Sequence, residues 1–536
     1  MKRKPLLLEV LLTTGALLLA VYPEIVYVAQ SPQTGISYLL TSLLFALPIV
    51  VLLRLPSRPW LRQCVLLLLL LGTLTETAMV VLYKGFLLAG NVLAVAATNM
   101  HEAGGLIRTS LHVLWYWLPC LLLYGLLCAG ETRVSSGSRC FRLWLLGIAL
   151  TGGAAFVGYK QWHFYRGKLT LRYYVENRIL NRPPYNVGLQ TASAVHLNRI
   201  KQYINASDDF TLHAAKRDTL PLPEVYVLLI GESLCYDNLS LNGRYARTTT
   251  PRMERMEHLV LYDDYYSAAC LTMWSVPQIM TRATPSAFET CYREKAVWHP
   301  FHEAGFSTFA ISVAGQQLQN DRYLTDGVDA FFTVPADSCM PPLIDSLARC
   351  NSKTFIVLEM AGSHSFYSNY TASFDVFHPN INSEPDVKSD SIYLNAYDNT
   401  VLYTDYLLTD IANRLEAQDA VVAWLFVSDH GETLPGARAG GHGGDCSPSK
   451  REYHVPLIVW YSSEYASVYP ARVDNLRRHK AEPVNSDNVF YSVCDMANLR
   501  VDVPEEYAGY SIFGDSLCRH ERTVLVPDGK TVLTVE

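Results

Sequence analysis

The sequence predicts two parts: an amino-terminal five-helix transmembrane domain and a carboxyl-terminal soluble α/β domain. Three observations predict this. Apolar spans crowd residues 1–158, buried-strand patterns alternate with helical ones from about residue 216, and two of those strands end in metal-ligand residue types. At 536 residues the chain is too long for one domain, and the expected division is 1–158, a connector at 159–215, and 216–536.

The apolar spans fall near 5–22, 36–54, 64–83, 110–129 and 142–158, each long enough to cross a bilayer core as a helix. Lys2, Arg3 and Lys4 ahead of the first span also fit a signal peptide. With more spans following and no evident small-residue cleavage site, a retained helix is expected. Basic residues set the orientation: Arg54, Arg58 and Arg62 follow the second span, and Arg133, Arg139 and Arg142 follow the fourth. The intervening loops carry only Lys84 and Arg108, so the positive-inside bias puts the amino terminus in the cytoplasm and everything after residue 160 outside. Near the outer end of the third span, Thr98, Asn99 and Glu102 lie at helical spacing, as a lipid-headgroup contact or a solvated face.

The connector contains KQWHFYRGKLTLRYY, which fits a segment at the lipid interface and an ordinary amphipathic linker equally well. NRPPYN then interrupts any helix. In the soluble part, EVYVLLI (224–230), FSTFAIS (306–312), TFIVLEM (354–360), VVAWLFVS (421–428) and VPLIVWY (455–461) read as strands buried on both faces. Val401, Tyr403, Leu407, Leu408, Ile411 and Leu415 mark a crossover helix. Eight of the twelve cysteines lie in this part, and Cys339 with Cys350 is the pairing that short separation favours. The net charge of −6, without a basic stripe, argues against a nucleic-acid partner.

Chemistry concentrates at strand ends. Glu232 follows EVYVLLIG, and Asp429 with His430 follows VVAWLFVS; His442 comes thirteen residues after Asp429. Alone, Asp-His-Gly reads as a turn with Asp429 satisfying backbone donors. With Glu232 in an equivalent setting and His442 nearby, a site for Zn²⁺ or another divalent ion at the sheet's carboxyl edge is the better account. Thr272 in SAACLTMWSVPQIMTR is the nucleophile candidate, because a following helix would favour a phosphoryl group at its start. On that segment alone, an N-cap role explains Thr272 as well. His364, His442 and His454 border the same strands, as phosphate binders, general acids, second-metal ligands or structural residues.

These residues resemble the phosphoethanolamine transferases of Gram-negative inner membranes, members of the alkaline phosphatase and sulfatase superfamily. The markers are the five spans, TN-x-x-EA, GES-x₆-SLNG with R-T-x-T-P, T-x-x-SVP, AGSH, NAYDNTVLYTD, SDHGE with a later HG, and HVP. The resemblance covers nearly the whole chain. It implies a mostly parallel sheet sandwiched by helices. It further implies that Glu232, Thr272, Asp429 and His430 bind zinc and that Thr272 is transiently phosphorylated. His364 and His442 would hold the transferred group or a second zinc, and Thr98 and Glu102 would lie near the lipid substrate; His454 is a further candidate.

The implied reaction is double displacement in a multi-pass inner-membrane enzyme with a periplasmic catalytic domain. Phosphatidylethanolamine gives its headgroup to Thr272, and lipid A or another envelope glycan receives it. Membrane lipids are the expected surroundings and a monomer the expected state. The chain departs from many relatives at Ala268 and Gln278, where they carry paired cysteines, and around Leu234 and Cys235, where they carry an arginine. A phosphoglycerol transferase, like lipoteichoic acid synthases or glucan-modifying enzymes, would share the layout. A non-catalytic membrane sensor would be expected to have lost ligands. A formylglycine sulfatase is excluded, since Cys270 is followed by Leu-Thr-Met-Trp rather than x-Pro-x-Arg.

Overall fold

The computed structural model describes residues 3–30, 36–56, 58–83, 85–97, 110–133, 139–160, 179–203, 210–313, 316, 318, 322–364, 367–383, 389–434, 441–442 and 449–535. They form two compact units, one spanning most of Met1–Leu197 and the other Asn198–Glu536. Thr98 and Glu102, the interfacial run 161–178 and Cys446 lie outside the described residues.

The first unit contains α1 (Arg3–Gln30), α2 (Ile36–Leu53), α3 (Pro59–Tyr83), α4 (Ala89–Ala97), α5 (Val113–Glu131), α6 (Arg139–Lys160) and α7 (Asn186–Tyr203). A helix stands at each of the five predicted spans. Four of them (Leu7–Gln30, Pro59–Tyr83, Val113–Glu131 and Cys140–Tyr159) are long and apolar enough to cross a membrane; the apolar stretch of α2, Tyr38–Leu53, is shorter.

Three of the arginines that set the orientation are not loop charges in solvent. Arg54 binds Glu131 at 2.6 Å and Glu9 at 3.0 Å, Arg62 binds Glu131 at 2.6 Å, and Arg142 binds Glu9 at 3.5 Å, all at most 3% exposed. Their partners are 45 or more residues away in sequence for Arg54 and Arg62, which hides the network from a local reading. A buried charge needs its counterion because desolvation of a lone ion is costly. Glu131→Ala would therefore remove the described carboxylate partner of Arg62 and one of the two on Arg54, and we expect about 3–5 kcal/mol of destabilisation, read as a fall in thermal midpoint in detergent. An unchanged midpoint would show that the network is dispensable.

The second unit is built on a seven-stranded sheet: β1 (Glu224–Gly231), β2 (Leu259–Leu261), β3 (Ser307–Val313), β4 (Ala330–Val334), β5 (Lys353–Glu359), β6 (Val421–Ser428) and β7 (Leu457–Tyr461). Their order is β2-β7-β6-β1-β5-β3-β4. The run β6-β1-β5-β3-β4 is parallel, while β7 is antiparallel to both neighbours. The 455–461 run was expected within a parallel sheet. Instead, among the described residues between β6 and β7 the one-turn helix Lys450–Tyr453 stands where a parallel return would need a full crossover helix.

Strand β1 is buried along its whole length because both faces are covered. Tyr226, Leu228 and Ile230 enter one core, and Val225, Val227 and Leu229 the other. The predicted crossover helix is α10 (Asp390–Glu416), after α8 (Thr272–Met280) and α9 (Met340–Cys350), and all six of its predicted apolar positions are buried. Cys339 and Cys350 do not pair; both are free thiols. Cys339 is the N-cap and Cys350 the last residue of α9, whose eleven residues at about 1.5 Å rise each hold them too far apart for a disulfide.

Candidate metal centre

The register of the central strands brings the site together. Ile230 pairs with Glu359 and Gly231 with Ser428, and the Asp429 N–H donates to the Gly231 carbonyl at 2.9 Å. Glu232 and Asp429 thus leave adjacent strands side by side at the sheet's carboxyl edge. Glu232, Asp429 and His430 offer ligand atoms within 4.8 Å of one another, and all three are buried.

Thr272 completes the group from α8. Its Oγ1 lies 3.3 Å from Glu232 Oε2 and 3.1 Å from His430 Nε2. The N-cap position belongs to Leu271, with extended backbone, and no side chain caps the helix. Thr272 is therefore the first helical residue rather than the cap, and its hydroxyl faces the carboxylate and imidazole. Ser267 and Ser275 both donate to the Asp429 carbonyl, which joins α8 to the end of β6.

The donor chemistry fits a divalent cation. His430 Nδ1–H donates to the Gly431 carbonyl at 2.9 Å, which fixes the tautomer and leaves the Nε2 lone pair toward Thr272, Glu232 and Asp429. Asp429 Oδ1 accepts the Ser233 and His430 amides at 3.0 and 2.7 Å, while its fully buried Oδ2 accepts no hydrogen bond. Burial, and then the charge of Asp429, push the Glu232 carboxyl well above the usual range. A cation among these atoms would supply the missing partner and neutralise the crowded carboxylates.

Behind the ligands stands a second layer, in which His364 and His442 are sequence candidates and Glu432 and Tyr367 are not. Glu432, fully buried, accepts from Tyr367 Oη at 3.1 Å and from His442 Nδ1 at 3.0 Å. Burial pushes its carboxyl up to about 7; burial, then the neighbouring His364, pushes His442 down to about 4. The neutral His442 ring stands 3.8 Å from that of His430 and keeps Nε2 free of the carboxylate. His364 lies within electrostatic reach of both Glu432 and His442. The signal for Glu432 was its place in SDHGE, where it reads as a turn residue. Gly431 is required for close approach: a Cβ there would lie 1.9 Å from the Arg451 carbonyl oxygen.

His454 does not join the cluster. Its ring stacks on Tyr236 at 4.5 Å and its Nδ1 is 3.9 Å from Asp237. The SLNG, R-T-x-T-P and YDNT segments bind one another and their neighbours, Ser240 and Leu241 amides donating to Thr249 and Thr250, while Tyr397 and Thr400 brace the turns after β1 and β5. Asp398 accepts from Asn238 at 2.9 Å, Tyr245 at 2.7 Å and Arg247 at 2.8 Å, and Asp405 accepts the Arg252 and Met253 amides. Cys235 packs beneath the site turn, with its Sγ 3.1 Å from the Glu432 amide nitrogen.

Residues 224–499 match the sulfatase family profile, which is more than half of the chain. The chain belongs to the sulfatase family. This sulfatase-family chain is 29% identical over 289 residues to YhbX of Escherichia coli (strain K12), covering 52% of the chain and 50% of that relative. It is 29% identical over 284 residues to phosphoethanolamine transferase EptA of Helicobacter pylori (strain ATCC 700392 / 26695), covering 50% and 52%. The chain thus spans about half the length of the curated relatives it matches.

Among solved structures, the integral membrane phosphoethanolamine transferase EptA of Neisseria meningitidis aligns with a TM-score of 0.72 at 18% identity, over 91% of this chain and 95% of its own. The periplasmic domain of Escherichia coli EptC, solved as a complex with Zn, aligns with a TM-score of 0.53 at 19% identity, over 60% and 95%. These likenesses establish the fold: an apolar helical segment followed by a sulfatase-like sheet domain.

Proposed function

We propose that this chain is a membrane-anchored, zinc-dependent phosphoethanolamine transferase that takes its headgroup from phosphatidylethanolamine. The observation that carries this reading is the Thr272 hydroxyl at the start of α8, within 3.3 Å of Glu232 and 3.1 Å of His430, with Asp429 Oδ2 open beside them. The relatives named phosphoethanolamine transferases and the Zn-complexed fold neighbour support the choice of group and metal. Glu232, Thr272, Asp429 and His430 would hold the zinc, which when bound would lower the pKa of the threonine hydroxyl and offset phosphoryl charge.

The chain's own groups then do the following. Thr272 Oγ bonds to the donor phosphorus while the bond from phosphorus to the glycerol oxygen breaks, and the hydroxyl proton passes to that oxygen. Diacylglycerol leaves, and phosphoethanolamine remains on Thr272. The acceptor hydroxyl or phosphate oxygen then bonds to the same phosphorus while the bond from phosphorus to Thr272 Oγ breaks, and the acceptor's proton passes to Oγ. The start of α8 favours the phosphoryl charge. His364 and His442 bind the transferred group, and Glu432 holds His442 in the tautomer whose Nε2 accepts, as the ammonium end of that group requires.

Lipid A or another envelope glycan is the acceptor in this reading, the location is the inner membrane with the second unit in the periplasm, and the working form is a monomer. Thr98 and Glu102 are assigned to the lipid side of the reaction. Purified full-length protein with headgroup-labelled phosphatidylethanolamine should carry label on Thr272. Label from phosphatidylglycerol alone would transfer the assignment to a phosphoglycerol enzyme. Glu432→Gln should lower transfer about 10- to 100-fold, the usual cost of losing an outer-layer partner, while zinc content stays near that of the wild type; full transfer in this variant would remove Glu432 from the account.

A further inference from the structure

We propose that Asp337 is a positioning residue for His364, an inference that rests on the transferase reading in giving His364 a role at the transferred group. Asp337 follows β4 on a one-turn helix, Asp337–Cys339, some distance in sequence from any candidate ligand. Its carboxylate is buried, with Oδ1 accepting the Ala361 amide at 2.8 Å and Oδ2 accepting the Gly362 amide at 3.0 Å. Both oxygens are thus committed to consecutive amides of the turn that leaves β5 and carries His364.

That turn is seated on the metal-centre backbone. The Met360 amide donates to the Ile230 carbonyl, and the Ser363 amide to the Glu232 carbonyl, both at 2.9 Å. Gly362 has φ +45°, and a Cβ there would meet the Glu232 carbonyl oxygen at 2.9 Å and its amide nitrogen at 3.0 Å. Glycine adopts this left-handed backbone without strain, so holding the turn in one conformation needs a constraint from its surroundings. Asp337 supplies that constraint from one side and Glu232 from the other, while Thr400 ties Ser363 through a 2.8 Å hydroxyl contact. His364 itself closes the turn, its amide donating to the Ala361 carbonyl at 3.2 Å. One carboxylate therefore sets where His364 stands relative to Glu232 and to the Glu432–His442 pair.

The test uses full-length Asp337→Asn, Asp337→Ala, His364→Ala and the Asp337→Ala/His364→Ala double variant. Asp337→Ala should lower transfer about 10- to 100-fold, and Asp337→Asn, which keeps one acceptor, should lower it less. Zinc content should stay at the wild-type level in both. In the His364→Ala background Asp337→Ala should cost nothing further, because its effect passes through His364. Losses that multiply in the double variant, or loss of zinc from Asp337→Asn, would overturn the proposal in favour of a general structural role. Amide hydrogen exchange at 361–364 reads the same constraint without substrate: it should speed up in Asp337→Asn, and unchanged exchange would refute the positioning role. If the wild type transfers no headgroup, the transferase reading falls while the exchange result still decides whether Asp337 fixes the turn.

Discussion

Thr272→Ala should leave headgroup transfer undetectable while the protein stays folded. Removing the hydroxyl removes the oxygen placed 3.3 Å from Glu232 Oε2 and 3.1 Å from His430 Nε2, and nothing else described at the start of α8 can replace it. The backbone consequence is small because the Thr272 side chain does not cap the helix; Leu271 holds the N-cap position and Trp274 and Ser275 amides bond to its carbonyl. Alanine is also the better helix former. The thermal midpoint should move by no more than about 2–4 °C, the shift expected for 1 kcal/mol in a domain of this kind. Label incorporation and melting together check the claim. Wild-type transfer by this variant would remove Thr272 as the nucleophile.

Asp429→Asn should separate metal binding from folding. Asparagine keeps an oxygen able to accept the Ser233 and His430 amides, so the turn after β6 is preserved. At the Oδ2 position, where no hydrogen bond is made, it places an amide NH₂ in place of a lone pair. Affinity should fall by more than the roughly 10- to 100-fold that an outer-layer loss costs, so zinc measured on the purified protein should drop from stoichiometric to a trace. The signs of the stability effects differ between states. In metal-free protein the substitution removes a carboxylate whose charge crowds Glu232, so it should be neutral or stabilising; in zinc-loaded protein it should destabilise. Stoichiometric zinc in the variant would contradict the ligand assignment.

Much of this arrangement was legible in the sequence because it is local. Strands β1 and β6 are covered on both faces, so their apolar runs are continuous and their ends mark where Glu232, Asp429 and His430 emerge. The 3.6-residue period of α10 was equally plain, since one side packs into the core throughout. What was hidden depends on residues distant in sequence. Glu432 reads as a turn residue until His442 and Tyr367 are seen against it, and Asp337 has no meaning until its carboxylate meets the 361–362 turn. Arg54 and Arg62 looked like solvated loop charges because Glu131 lies 77 and 69 residues away. Short spacing misled for Cys339 and Cys350, where the intervening residues form a helix that holds its two ends rigidly apart.

The most direct test of the account is covalent capture of the headgroup. Purified full-length protein loaded with zinc is incubated with phosphatidylethanolamine labelled in the headgroup, with Thr272→Ala in parallel. The account predicts label on Thr272 of the wild type, an equivalent release of diacylglycerol, and no label on the variant. Diacylglycerol release without label on Thr272, or equal label on both proteins, would contradict it.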